Sequence, residues 1–176
     1  MVVQFRKAIG TPAEEYINDL LLNFSCLDND VESFLKTKAI QHELRNRSRT
    51  YLVLSDDASK LIAYFTLSLK ALEFGEDISR TVIKSIDGFN KNAASTPVIL
   101  IGQFGKDIKT GKVVRGSELL DICMSYVYEI HYLVGSRIVL IESANYEKVV
   151  TFYKNNGFTV FREDPDDKLI QMIRTL

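Results

Sequence analysis

Cysteine is scarce in this chain, whose 176 residues hold only Cys26 and Cys123. The two are far apart and match no ligand spacing, so neither a disulfide scaffold nor a zinc cluster organises the fold. Two histidines, His42 and His131, are too few for an all-histidine metal site, and no metal is expected. No apolar run reaches the ~20 residues that cross a bilayer as a helix. The start, Met1 to Arg6, lacks the basic stretch, apolar segment and small-residue cleavage site of a secretory signal. A cytoplasmic protein without a membrane partner is the expectation. Charge of one sign is also missing: 22 Lys and Arg stand against 23 Asp and Glu, a formal net charge of -1. Any anion site must therefore be a local patch rather than a whole-molecule attraction. No repeat, low-complexity tract or proline-rich linker divides the chain. With 46% hydrophobic residues it can bury a core, and residues 1–176 read as one domain of ordinary size.

Strand and helix signals then alternate along the chain. Val2 to Ala8 reads as a strand. Thr11-Pro12 followed by Glu14 and Glu15 opens a helix: a capping hydroxyl, proline in the first turn, acids near the positive helix end. Tyr16, Ile17, Leu20 and Leu21 mark its apolar side. Asp28 or Asp30 caps a second helix carrying Val31, Phe34, Leu35 and Ile40. Arg49 to Ser55 and Lys60 to Leu69 form an antiparallel hairpin across the polar turn Asp56 to Ser59. Glu76 to Ile86 is a surface helix and Gly88 to Thr96 a polar loop. Pro97 to Phe104 is nearly all apolar, as a buried central strand is. Gly116 to Val134 has helical spacing through Leu119, Leu120, Cys123, Met124 and Val127. Arg137 to Ile141 is another buried strand, and Tyr146 to Asn155 a short helix stopped by Asn156-Gly157. Phe158 to Phe161 and Leu169 to Arg174 close the series as strands. The class is α/β: a mixed sheet with a right-handed parallel crossover joined to antiparallel strands.

Two segments carry the chemistry. The first is strand, loop and helix from Ile99 to Leu120. Its loop holds Lys106, Lys109, Lys112 and Arg115 with one acid, Asp107. The loop ends at Gly116-Ser117, where main-chain N–H groups and the helix dipole favour an anion such as pyrophosphate. An ordinary solvated loop has the same look, since loose glycine loops are weak signals. The second segment is Val149 to Phe158. Phe152 and Phe158 pack the core, and Gly157 permits a left-handed turn. Tyr153 offers a phenol that can donate a proton or hydrogen bond, though taken alone the position reads first as a structural tyrosine.

Together these segments resemble the CoA-binding half of the Gcn5-related N-acetyltransferase (GNAT) superfamily. That pattern runs strand, Arg/Gln-x-x-Gly-x-Gly/Ala, helix, strand, then a helix ending in Phe-Tyr-x-x-x-Gly-Phe. Here Gly111-Lys112-Val113-Val114-Arg115-Gly116 occupies the phosphate loop, with Gly111 in place of Arg or Gln and Val114 in place of the middle glycine. Phe152-Tyr153 to Gly157-Phe158 matches the second motif. The first half is similar to the branch of acetyltransferase toxins from toxin–antitoxin pairs, through Phe24-Ser25-Cys26, the Phe34-Leu35 helix, Ser48 to Leu54 and Ile62 to Ser68.

The resemblance implies a GNAT-like mixed sheet of six to seven strands, with an antiparallel N-terminal half, a splayed parallel central pair and flanking helices. It implies acetyl-CoA as the cofactor, and acetyl transfer to a primary amine. Phe104, Gly105 and Lys106 would offer main-chain groups to the pantetheine arm and thioester. Gly111, Lys112, Val113, Val114, Arg115, Gly116 and Ser117 would hold the pyrophosphate, and Tyr153 would protonate the departing thiolate. The toxin branch points to the α-amine of an aminoacyl-tRNA, with Lys36, Lys38, Arg45, Arg47 and Arg49 near His42 as a phosphate patch. A solvated helix face fits those cations as well, because Glu32 and Glu43 sit among them. An antitoxin protein and a homodimer are partners the branch brings with it. Glu142 is a candidate base by position alone, and a salt-bridged acid reads equally from it. Against the enzyme stands a second class, a catalytically silent acyl-CoA sensor or interaction module on the same fold, motivated by Gly111 and Val114.

Overall fold

The computed structural model describes residues 1–110, 113–163 and 169–176. Its strands and α-helices, in chain order, are β1 (Val2–Gln4), α1 (Ala13–Asn23), α2 (Asn29–Thr37), α3 (Ala39–Leu44), β2 (Arg49–Leu54), β3 (Leu61–Glu73), α4 (Arg80–Asp87), β4 (Ser95–Lys106), α5 (Gly116–Val134), β5 (Ile138–Ala144), α6 (Glu147–Asn155), β6 (Thr159–Glu163) and β7 (Leu169–Thr175). The sheet has seven strands in the order β1-β2-β3-β4-β5-β7-β6. β1 to β3 are antiparallel, as are β5, β7 and β6, while β4 and β5 are parallel. A parallel pair needs a crossover connection, and α5 supplies it. The mixed α/β sheet expected from the sequence is therefore present. Among the described residues, no helix is long and apolar enough to cross a membrane.

The chain divides into two compact units, residues 1–68 with 102–123 and residues 69–101 with 124–176. In the first unit the core gathers Phe5, Ile17, Leu20, Leu21, Phe24, Leu35, Leu52, Leu61 and Tyr64. β1 is shorter than the sequence predicts. It stops at Gln4, and Phe5–Lys7 form a turn of 3₁₀ helix that leaves Phe5 fully buried. Tertiary burial of one aromatic overrides local strand preference here. α1 begins where expected, with the Ala13 N–H donating to Thr11 Oγ1 and the Gly10 N–H to Glu14. It buries Ile17, Leu20 and Leu21. Tyr16 is instead exposed, and its hydroxyl donates to the Ala58 carbonyl.

The single second helix expected from the sequence is two. Asp28 caps α2, accepting from the Asp30 and Val31 N–H groups. α2 ends at Thr37, whose hydroxyl donates to the Ser33 carbonyl at 2.7 Å. Such back-bonding bends a helix, and Ile40 falls on α3. Glu43 of α3 is wholly buried, accepting from the Thr50 N–H and from Arg49. Burial raises its pKa, opposed by the Thr50 N–H and the Arg49 charge.

In the second unit Leu72, Ile86, Val98, Ile138, Leu140 and Ile173 form the core. α4 starts at Arg80 rather than Glu76, because Ser79 is the residue whose hydroxyl accepts from Val82 N–H. Gly88 closes it in the left-handed region, φ +87°. The α5–β5 turn uses two successive left-handed residues, Gly135 and Ser136. There His131 Nδ1–H donates to the Ser136 carbonyl at 2.7 Å.

Candidate functional site

The parallel register of β4 with β5 covers Ile99 to Ile101, and β4 runs on to Lys106. Just past its end the Asp107 N–H donates to the Ile62 carbonyl of β3 at 2.7 Å. Strand alternation then points the N–H groups of Phe104 and Lys106 away from β3. Gly105 lies between them and is buried. A Cβ on Gly105 would stand 2.6 Å from Val31 Cγ1 and 3.2 Å from Cys26 Sγ. Glycine is thus required by close packing of α2 on the strand, not by a left-handed turn. Burial raises the Cys26 thiol pKa, while the main-chain N–H groups of Asp28 and Lys106 lower it. Overpacking of this kind costs about 1–3 kcal/mol, so Gly105→Ala is expected to lower stability by about that amount. Adding Val31→Ala is expected to recover most of the loss, since the two sites are in contact. Urea unfolding midpoints of the single and double variants check this.

The loop after β4 is pinned by a buried acid. Asp107, 4% exposed, accepts from the Ser25 N–H at 2.9 Å through Oδ1. Its Oδ2 accepts from the Lys109 N–H, the Thr110 N–H and the Thr110 hydroxyl at 3.0, 2.9 and 3.1 Å. The Ile108 N–H adds a bond to the Ser25 carbonyl. This ties the end of β4 to the Phe24-Ser25-Cys26 segment between α1 and α2. Two of the loop's cations turn onto carbonyls of the chain: Lys106 Nζ donates to Val114 O at 2.7 Å and Lys109 Nζ to Asn23 O at 3.3 Å. Arg115 is exposed. Gly111 and Lys112 lie outside the described residues.

Val113 is exposed and Val114 half-buried. Among the described residues, the non-glycine ones with positive φ are Asn46, Ala58 and Ser136, so Val114 keeps the ordinary φ that a β-branched residue prefers. α5 then begins at Gly116 in the capping manner: Arg115 N–H donates to Glu118 Oε2 at 2.6 Å, and the Leu119 N–H to the Arg115 carbonyl at 3.0 Å. The first-turn N–H groups of Gly116 and Ser117 have no intrahelical acceptor. Their donor set, with the exposed Arg115 guanidinium, fits a pyrophosphate in chemistry. Glu118 is the one acid at that end.

In the second unit, Tyr153 sits in the last turn of α6 and is 5% exposed. Its ring meets Phe152 at 5.0 Å and Phe158 at 5.7 Å, both edge-on. The expected roles of the two neighbours divide: Phe158 is buried at 2% exposure, whereas Phe152 is half-buried. Gly157, at φ +84°, terminates the helix, with the Phe158 N–H returning to the Tyr153 carbonyl. The register therefore holds the phenol in place through both neighbours.

Glu142, on β5, is committed elsewhere. Lys70 Nζ lies 2.7 Å from each of its oxygens, and Gln171 Nε2 donates to Oε1 at 2.8 Å. The salt-bridged reading of this residue is the one the structure carries. Of the cations near His42, Lys36 pairs with Glu32 and Arg49 with Glu43. Lys38, Arg45 and Arg47 are exposed, and form no ion pair with an acid among the described residues. Burial, and then the charges of Arg47, Lys38 and Arg45, lower the His42 pKa.

Sequence reasoning missed Asp107 and Glu118 as organisers. Both left a signal: an Asp three residues before Thr110, and a Glu three after the helix-capping position. The partner of Asp107, Ser25, left none.

No family model matches the chain. Solved structures do. A KacT variant with one tyrosine replaced by phenylalanine has a TM-score of 0.72 at 22% identity, over 97% of this chain and 92% of that one. AtaT complexed with acetyl-methionyl-tRNAfMet has a TM-score of 0.70 at 19% identity, over the same 97% and 92%. AtaTR bound with acetyl-CoA has 0.66 at 18%, over 97% and 90%. Strand order, the parallel β4–β5 pair and these full-length likenesses agree that the chain has the Gcn5-related N-acetyltransferase fold, in the form it shares with the toxins KacT and AtaT.

Proposed function

We propose that residues 1–176 form one acyl-CoA N-acyltransferase domain that moves acetyl from acetyl-CoA to a primary amine, the α-amine of an aminoacyl-tRNA. The observation that carries this reading is the unit built by the end of β4, the Asp107-pinned loop and the start of α5. A strand running past its parallel register leads into a loop whose far end presents the Gly116 and Ser117 N–H groups beside Arg115.

Acetyl-CoA supplies an activated acetyl thioester. The main chain of Phe104, Gly105 and Lys106 orients it, and N–H groups there stabilise the developing oxyanion. The segment from Gly111 to Ser117 holds the pyrophosphate: Gly111, Lys112, Val113 and Val114 as the loop, Arg115, Gly116 and Ser117 as donors. Tyr153 gives its phenolic proton to the leaving sulfur. An α-amine with a pKa of ~8 is about one-fifth neutral at a pH of about 7.4, a fraction that can attack without a side-chain base. The proton its nitrogen loses on forming the amide passes to water, and Glu142 stays with Lys70. The exposed Lys38, Arg45 and Arg47 around His42 hold acceptor phosphates, an interaction that weakens with salt.

Neighbouring structures support the substrate and partners in kind. AtaT has been solved with acetyl-methionyl-tRNAfMet and with the C-terminus of the antitoxin AtaR. By the same likeness this chain would bind an antitoxin protein; a cytoplasmic place and a homodimer belong to the proposal alone.

The test is acetyl-CoA with charged tRNA, uncharged tRNA and a panel of small amines, followed by thiol release and by mass spectrometry of the aminoacyl group. Acetylated aminoacyl-tRNA is the expected product. A silent acyl-CoA sensor is the second reading. Glu118 on the Arg115 N–H and Lys106 on the Val114 carbonyl favour it, because both satisfy the loop without a ligand. Tight CoA binding with no thiol release above solvent hydrolysis would establish that reading instead.

A further inference from the structure

α4 has two chemically distinct sides. Ile83 and Ile86 are buried. Arg80, Thr81, Lys84 and Ser85 are exposed, and with Lys91 they line an open cavity of ≈ 510 Å³. Of the described residues, three cations and two hydroxyl residues line it, and no acid does. Among the described residues none of the three cations forms an ion pair with an acid. In a chain of formal net charge -1, such an unmixed cluster is a local anion-attracting field.

The turn that joins α4 to Lys91 adds an aromatic. Phe89 is 91% exposed, yet its backbone is held. Gly88 takes the left-handed cap conformation, and Asp87 Oδ2 accepts from the Phe89 N–H at 3.2 Å and the Asn90 N–H at 2.7 Å. Those bonds commit the Asp87 carboxylate to the backbone and hold Phe89 on an ordered turn, two residues from Lys91. Glu76 and Asp77, before the start of α4, are exposed but do not line the cavity. A lone exposed phenylalanine is ordinary on a protein surface. An ordered one on the turn that leads to Lys91, a lining residue of the cavity, has with these cations the composition of a stacking platform for single-stranded nucleic acid, where cations track the phosphates and an aromatic ring takes a base.

We propose that this face of α4 and its following turn grip an unpaired segment of nucleic acid, with phosphates on Arg80, Lys84 and Lys91 and a base stacked on Phe89. The site extends the reading of a nucleic-acid acceptor and rests on it for its biological use, while its own chemistry stands on α4 alone.

The probe is a fluorescein-labelled single-stranded RNA of about a dozen nucleotides, a length that covers one such platform. Its binding is followed by anisotropy over a range of salt, with the same sequence as a duplex and inorganic pyrophosphate as controls. All substituted positions are exposed, so the fold is retained. Lys84→Gln and Lys91→Gln are each expected to reduce the slope of log K against log salt by about 0.7. Phe89→Ala is expected to weaken the single strand about 10-fold, and to leave the duplex unchanged. An unaltered salt slope in both lysine variants would overturn the proposal. So would full displacement by pyrophosphate together with a Phe89→Ala variant that binds as the parent does, which would mark a simple anion site. Acetyl transfer to a small amine, measured on the same variants, separates the two readings. RNA results as expected with no transfer to any amine leave the groove standing and remove the enzyme. Normal transfer with unaltered RNA binding removes the groove alone.

Discussion

Replacing Tyr153 by phenylalanine is expected to lower kcat by about 100-fold or more, the usual contribution of a positioned proton donor, while the Kd for acetyl-CoA changes less than about two-fold. The reasoning starts from packing. The ring is buried between the edges of Phe152 and Phe158, and phenylalanine keeps that ring and its contacts. Only the hydroxyl is removed. Net hydrogen-bond contributions of about 1 kcal/mol bound the stability change, so the unfolding midpoint moves little. A loss confined to kcat is what a group acting on the departing thiolate predicts. Calorimetry of CoA binding and a thiol-release assay measure the two quantities separately. Full kcat in the phenylalanine variant would remove the acid role from Tyr153.

The second large effect is structural. Asp107→Ala is expected to cost about 3–5 kcal/mol, the range seen when a buried charged network is broken. The carboxylate accepts three main-chain N–H groups and one hydroxyl. Alanine leaves those donors facing a cavity, and an unsatisfied buried donor costs about 1–3 kcal/mol on its own. Asparagine recovers less than half. Oδ1 takes Ser25, Oδ2 takes Lys109 and Thr110, and an amide offers only one oxygen. Urea unfolding follows both variants. CoA affinity should fall with them, because the same carboxylate sets the path from β4 to the first turn of α5. An alanine variant as stable as the parent would show that water satisfies these donors and that the strut is dispensable.

The parts of the fold that were legible are those governed by local pattern. Gly116–Val134 forms as one helix with the bounds its spacing predicts, because a long apolar stripe leaves one side to bury. The apolar run from Pro97 becomes a central strand, and Gly157 ends α6 with a positive φ. Where local signals competed with packing, packing prevailed. Phe5 is buried where the chain leaves β1 for a 3₁₀ turn, and the apolar stripe read as one helix is divided after Thr37 into α2 and α3. In the Phe152-Tyr153 pair the sequence spoke for a core Phe152, and the helix register buries Tyr153 and leaves Phe152 half-buried. One residue along a helix rotates a side chain by about 100°, too fine a difference for a motif to resolve.

The broad alternation of strands and helices and the α/β class with its mixed sheet followed from residue types and their spacing, since periodicity and turn signals depend on neighbours a few positions away. The partners of the polar side chains required the folded chain. Asp107 meets Ser25 across 82 positions and Lys70 meets Glu142 across 72, and Gly105 owes its identity to Val31 of another element. Periodicity states which way a side chain points; only the packed elements decide what it points at, because burial leaves each donor and charge to be satisfied by whichever group the fold brings within hydrogen-bond reach.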